Sequence, residues 1–406
     1  MKLLLTLLLC LFAGTGMTHQ GHVAPKAGGA ARTELGTGAA FAPDGTLWVV
    51  HKRAVARAPW PEDAAAQSTR SLDQLVLRSS RDFGTTWSEP RELLPTPEPI
   101  SADGENRPKI AFGANGVAVI SWTSPTSPRF TGDIRLLRSK DGGTTWLPPK
   151  TVHADRQRIT HRFESIAFDP NGRLFVAWID RRDEVLAKAQ GRAYPGAALY
   201  YAVSDDGGAS FAGDYKVADH SCECCRIALA YSAADKAMLA FWRHVFPPNE
   251  RDFMIATLGP DGAVRAERAT HDRWAIDACP HHGGALSVGT DGVQHRVWFN
   301  VVKGEGQSRY ARIADSKVRL SALPPGAVHA DVLAIGDRVV LAWKAFDGTR
   351  TQLRAQISID GGRSFTERTL ARTTHANDQP RLIAFGDRVF VLWHTGESIA
   401  VYEVRP

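Results

Sequence analysis

Ser139-Lys140-Asp141-Gly142-Gly143-Thr144-Thr145-Trp146 is one of four near-copies of a single eight-residue stretch. The others are Ser80-Arg81-Asp82-Phe83-Gly84-Thr85-Thr86-Trp87, Ser204-Asp205-Asp206-Gly207-Gly208-Ala209-Ser210-Phe211 and Ser358-Ile359-Asp360-Gly361-Gly362-Arg363-Ser364-Phe365. The shared pattern, S-x-D-x-G-x-[ST]-[WF], describes a rigid turn. Its Asp carboxylate accepts from backbone N–H groups, Gly supplies a positive φ, and the aromatic pins the turn onto a sheet. Too few carboxylates recur for a calcium loop, which takes about 6–8 oxygen ligands.

Around these turns the chain repeats a longer unit: an apolar strand, a Gly or Asp/Asn-Gly turn, and a second apolar strand ending in Trp. The seven hairpins run from Ala40 to Trp48, Ile110 to Trp122, Ile166 to Trp178, Ala228 to Trp242, Leu286 to Trp298, Val332 to Trp343 and Leu382 to Trp393. Seven of the 11 tryptophans thus read as occupying one position. Asp-Gly and Asn-Gly suit such hairpins because they tolerate the positive φ of tight turns. A unit repeated along the chain is a repeat architecture rather than a string of unrelated domains.

The four turns resemble the Asp box, the bacterial neuraminidase repeat of the sialidase superfamily. With the Trp hairpins, the resemblance covers roughly residues 34–406. It implies an all-β fold, a β-propeller of four-stranded blades with the Asp box between third and fourth strands. Sialidases have six blades, whereas seven hairpins predict seven here, with six plus an irregular repeat as the alternative. The last copy runs out after a third strand at Ser398–Val404, so residues 26–37 are expected to supply the closing strand.

Composition is that of an ordinary globular chain, with 43% hydrophobic and 23% charged residues. The formal charge of +6 comes from dispersed Lys and Arg without a basic run, which argues against nucleic acid as a partner. Lys2, the apolar run Leu3 to Ala13 and small residues to Gly16 describe a signal peptide over residues 1–16. That run is too short for a membrane span, which takes about 20 apolar residues. Residues 17–33 then form an N-terminal segment ahead of a single propeller domain. The expectation is a periplasmic or secreted, monomeric protein.

Removing Cys10 leaves Cys222, Cys224, Cys225 and Cys279. In an oxidising compartment an even number of cysteines suggests disulfides. Three within four residues are a poor layout for two staples, however. In a propeller, residues just before each first strand and just after each second strand gather at one end of the central channel. That places Cys222-Glu223-Cys224-Cys225 and Cys279-Pro280-His281-His282 at the heads of adjacent blades. Thiolate and imidazole together suit a soft or borderline metal, copper(I) first and zinc next. The predicted ligands are Cys222, Cys224, Cys225, Cys279, His281 and His282; a disulfide or a redox thiol pair stays open. Histidines away from the cluster, such as His51, His153 and His295, are expected to have ordinary hydrogen-bonded roles.

The resemblance also implies a chemistry: three arginines on a carboxylate, a Tyr–Glu nucleophile pair and an Asp acid. This sequence departs from it, having no Arg-Ile-Pro signature before the first blade and no recognisable Tyr–Glu pair. The alternative reading, an exo-acting glycoside hydrolase with a diverged site, rests on Arg107, Arg162, Glu164 and Asp180 at the same predicted face. Whether the chain is an enzyme stays open on sequence alone.

Overall fold

The computed structural model describes residues 35–60 and 69–406. The expected signal peptide, the segment 17–33 and most of the proposed closing strand lie outside the described residues. Seven antiparallel sheets follow one another along the chain, six of four strands and the last of three described strands, Arg381–Phe385, Arg388–His394 and Ile399–Val404. The innermost strands are Gly38–Phe41, Lys109–Phe112, His161–Phe168, Ala228–Ser232, Ala285–Val288, Val328–Ile335 and Arg381–Phe385. Each packs beside the next, and the seventh returns to the first. This is a closed seven-bladed propeller, as the hairpin count predicts.

The four Asp turns join third to fourth strands in blades one, two, three and six. In one of them Asp141 Oδ1 accepts from Ser139 Oγ at 2.7 Å and Thr145 N at 2.8 Å, and Oδ2 from Thr145 Oγ1 at 2.6 Å. Ser139 Oγ in turn accepts from Gly143 N at 2.8 Å. Asp82, Asp206 and Asp360 repeat these bonds. Third strands run away from the end where first strands begin, so the turns sit on the opposite face from the Cys/His segments.

Blades adhere through interleaved apolar side chains. Trp178 of blade three packs on Val119, Ile134 and Leu136 of blade two, and Trp343 of blade six packs on Ala285, Val297 and Tyr310 of blade five. Trp122, Trp242, Trp298 and Trp393 likewise face the preceding blade. Trp48 does not share this position. It is the second residue of its strand, whereas Trp178 is the fifth, and it packs beside Phe112 of the following blade. Counting from the turn, His51 of blade one stands where the other blades carry Trp. The sequence count of seven equivalent tryptophans is therefore six, because a strand alternates faces and a three-residue offset reverses the side a residue presents.

Candidate metal centre

Cys222 follows directly on the fourth strand of blade three, Ala212–Ser221, and the loop then enters the first strand of blade four. Both ends of this short loop are anchored. Cys222 N donates to Arg243 O at 3.0 Å, and Arg226 N donates to Glu105 Oε2 at 3.0 Å. Between the anchors the chain turns its thiols inward. Cys222, Cys224 and Cys225 are buried, with Sγ···Sγ separations of 3.6, 3.7 and 3.8 Å and no disulfide between them.

Dividing the mean edge by √3 puts the three sulfurs on a circle of radius about 2.1 Å. A metal–sulfur distance of about 2.3 Å would place an ion about 0.9 Å off their plane. That is a pyramidal position with room for a fourth ligand. Cys279, exposed at the head of blade five, approaches Cys224. The thiol spacing thus fits a soft tetrahedral or trigonal ion without rearrangement.

The electrostatics favour a thiolate at Cys222. The Cys224 and Cys225 thiols donate to it, Arg243 and Arg251 lie nearby, and together they hold it well below the usual thiol range. Arg251 Nη1 is 3.7 Å from its sulfur. Cys224 is pushed up because it donates to its neighbours, and Cys225 is pushed up by burial and by the Cys222 charge. Cys279 is lowered by the hydrogen bond from Cys224. Arg243 and Arg251 were not apparent in sequence, since nothing local marks an arginine as facing a thiol on another loop.

His281 and His282 do not join the triad: among the described residues, the cluster with all donor atoms within 4.8 Å here consists of the three cysteines alone. The ring of His282 stacks between Phe299 at 4.2 Å and His329 at 4.3 Å, and burial holds its pKa well below the ordinary value. His281 adopts a left-handed φ of 52°. The Cys-x-His-His segment therefore divides, with its cysteine going to the thiols and His282 turning towards the axis.

The alternative hydrolase residues are separately engaged. Arg107 Nη1 pairs with Asp378 Oδ2 at 2.8 Å, both buried. Glu164 accepts from Lys109 Nζ at 3.1 Å and Thr123 Oγ1 at 2.7 Å. Asp180 takes Arg182 Nη2 at 2.6 Å and Trp178 Nε1 at 2.9 Å. Arg162 lies over Phe163 and lines a separate cleft with Trp60, Arg129 and Phe130. The axial cavity, about 180 Å³, is lined by Glu105, Arg107, Lys109, Arg226, Asp331 and Arg381. Four cations and two carboxylates share it. Glu105 bridges Arg226 N, Gly283 N and Gln379 Nε2.

No protein-family profile and no curated protein sequence matches the chain. Among solved structures, a polysaccharide lyase of family PL25, an ulvan lyase bound to a -[GlcA(1-4)Rha3S]- ligand, superposes with TM-score 0.56. It is 12% identical, over 92% of this chain and 94% of that one. The polysaccharide lyase Uly1 superposes with TM-score 0.53 at 10% identity, over 93% and 91%. NanB sialidase from Streptococcus pneumoniae reaches 0.45 at 9% identity over 79% and 67%, too distant to bear on activity. These likenesses show a shared propeller fold and leave the chemistry to the residues.

Proposed function

We propose that this protein is an exported, sialidase-like propeller that binds a soft transition metal, copper(I) in first place and zinc in second. Cys222, Cys224 and Cys225 supply three thiolates and Cys279 closes the site. The observation that carries the reading is the buried thiol triangle with edges of 3.6–3.8 Å. Three sulfurs this close, with a cationic pair beside one of them, suit an ion that engages all three at once better than a disulfide, which joins only two. Thiolate donors select copper(I) or zinc over harder ions.

The test is metal content and thiol count on protein purified from the exported fraction. One equivalent of copper or zinc that depends on the cysteines is expected, with four titratable thiols after chelation and denaturation. Cys225→Ser should lose the metal and keep the fold. Mass-spectrometric disulfides, with neither free thiols nor metal, would overturn the proposal. A 4-methylumbelliferyl sialoside assay separates the hydrolase alternative, for which no turnover is expected.

A further inference from the structure

A second cluster of donors lies on the same face, where blade two meets blade three. Asp133 is near the start of the third strand of blade two, Thr131–Ser139. His153 follows that blade's fourth strand, and His161 opens the first strand of blade three. Their donor atoms all lie within 4.8 Å of one another. Both imidazoles are fully buried and stacked, with ring centroids 3.8 Å apart and planes 10° apart.

Hydrogen bonding fixes which nitrogen faces the cluster. His153 Nδ1 lies 2.5 Å from Asp155 O, and His161 Nδ1 lies 3.2 Å from Gly132 O. A carbonyl only accepts, so these contacts assign a proton to each Nδ1, the closer Asp155 O outweighing the 3.5 Å approach of Arg156 Nη1 to His153 Nδ1, and in the neutral ring Nε2 then presents a lone pair. Neither Nε2 has a hydrogen-bond partner. What they face are carboxylates. Asp133 Oδ1 is 3.5 Å from His153 Nε2, while Asp155 Oδ1 and Asp180 Oδ2 are 3.6 and 3.7 Å from His161 Nε2. Buried Nε2 atoms opposite carboxylate oxygens leave a position that a proton or a metal cation satisfies.

We propose that His153, His161 and Asp133 form a second metal site, for a divalent first-row transition ion such as zinc or copper(II). A ligating histidine typically anchors its other nitrogen on a carbonyl or carboxylate, as both do here. Two imidazoles and a carboxylate suit borderline divalent ions, unlike the soft thiol site. Asp180 is already taken by Arg182 and Trp178, and Asp155 by Gln157. Asp133, 38% exposed, gives the site its access to solvent. Because the rings are nearly parallel, a shared ion requires them to fan apart about Cβ–Cγ. The loop after Asp180 links the two centres, with Arg181 Nη1 3.7 Å from Glu223 Oε2 inside the thiol loop.

The experiment titrates zinc into the reduced Cys222→Ser/Cys225→Ser protein, followed by calorimetry and imidazole ¹⁵N shifts. One equivalent should bind, moving two Nε2 resonances to metal-bound positions. His161→Gln should weaken binding at least a hundredfold and Asp133→Asn at least tenfold. If that background does not fold, cobalt(II) added to wild-type protein whose thiol centre is already filled with copper(I) serves instead. Ligand-field bands without sulfur charge transfer should then appear and vanish in His161→Gln. No zinc binding in the folded background, unchanged affinity in His161→Gln, or imidazole signals that follow pH and ignore metal would overturn the site. Failure of the thiol centre reads separately, as metal content of the purified protein that Cys225→Ser leaves unchanged.

Discussion

Two carboxylate and thiol environments lead to predictions at the level of single residues. Asp141 is lowered from 3.8 to about 2 by hydrogen bonds from the Thr145 side chain, the Thr145 backbone and Ser139. A carboxyl held below its unfolded value contributes stability that is present above about pH 4 and lost as pH falls through about 2. Asp141→Asn should therefore lower Tm slightly at pH 7 and not at all near pH 2, and its metal content should stay unchanged. Melting curves across pH 2–7 check this. A Tm difference that persists at pH 2 would mean the turn is held by packing rather than by the ionised carboxylate. Among the thiols, Cys279 is both exposed and lowered, whereas the triplet is buried. A brief iodoacetamide pulse on the native apo-protein should alkylate Cys279 first. Cys222 should stay protected despite its thiolate character, because access as well as pKa controls reactivity. Equal labelling at all four would show the loop to be open.

At the level of elements, the second strand of each blade carries the inter-blade packing. Trp343 is fully buried against blade five, and truncating such a residue to Ala typically costs about 3–5 kcal/mol. Trp48 is half-buried on the other face of its strand, so Trp48→Ala should cost clearly less, about 1–3 kcal/mol. Denaturant unfolding of the two variants measures the difference. Equal losses would mean that Trp48 is as strongly committed to packing as its six counterparts. The short loop between blades three and four shows the same logic in reverse. Its packing is supplied by the two strands it joins and by the anchors at Arg243 and Glu105, which frees Cys222, Cys224 and Cys225 for sulfur chemistry.

For the whole molecule, a ligand bound to the folded state alone stabilises it by mass action. At a hundredfold excess over Kd, one copper(I) should add about 2.7 kcal/mol, reversed by a thiophilic chelator. Because Cys224 and Cys225 are pushed up and must lose their protons to ligate, affinity should fall by about two log units per pH unit between pH 8 and 6. Competition titrations at several pH values check the slope. A flat profile would mean that ligation does not displace those protons. The ring itself should survive these changes. It closes through Leu47 and Val49 of blade one on Ile383, Phe390 and Leu392 of blade seven, on strands remote from the thiol loop.

Period-2 strands, Gly-bearing turns and the Ser139–Trp146 type of box are local signals, so the blades, their number and the turns between third and fourth strands were legible in the sequence by itself. The head-of-strand rule also brought Cys222, Cys224, Cys225 and Cys279 to one face, since it depends only on connectivity. What depended on side-chain direction was decided by tertiary structure. Trp48 and Trp178 look alike in sequence, yet strand alternation sends them to opposite neighbours. His281-His282 reads as a ligand pair, but Phe299 and His329 hold the second ring in their stack. His153 reads as an ordinary histidine and nothing local pairs it with His161, because their partner Asp133 lies on a different strand and their unmatched Nε2 atoms arise only from how two blades meet. Strand pairing is written in neighbouring residues. The direction in which a buried donor points is set by contacts between residues far apart in the chain, and no local pattern encodes it.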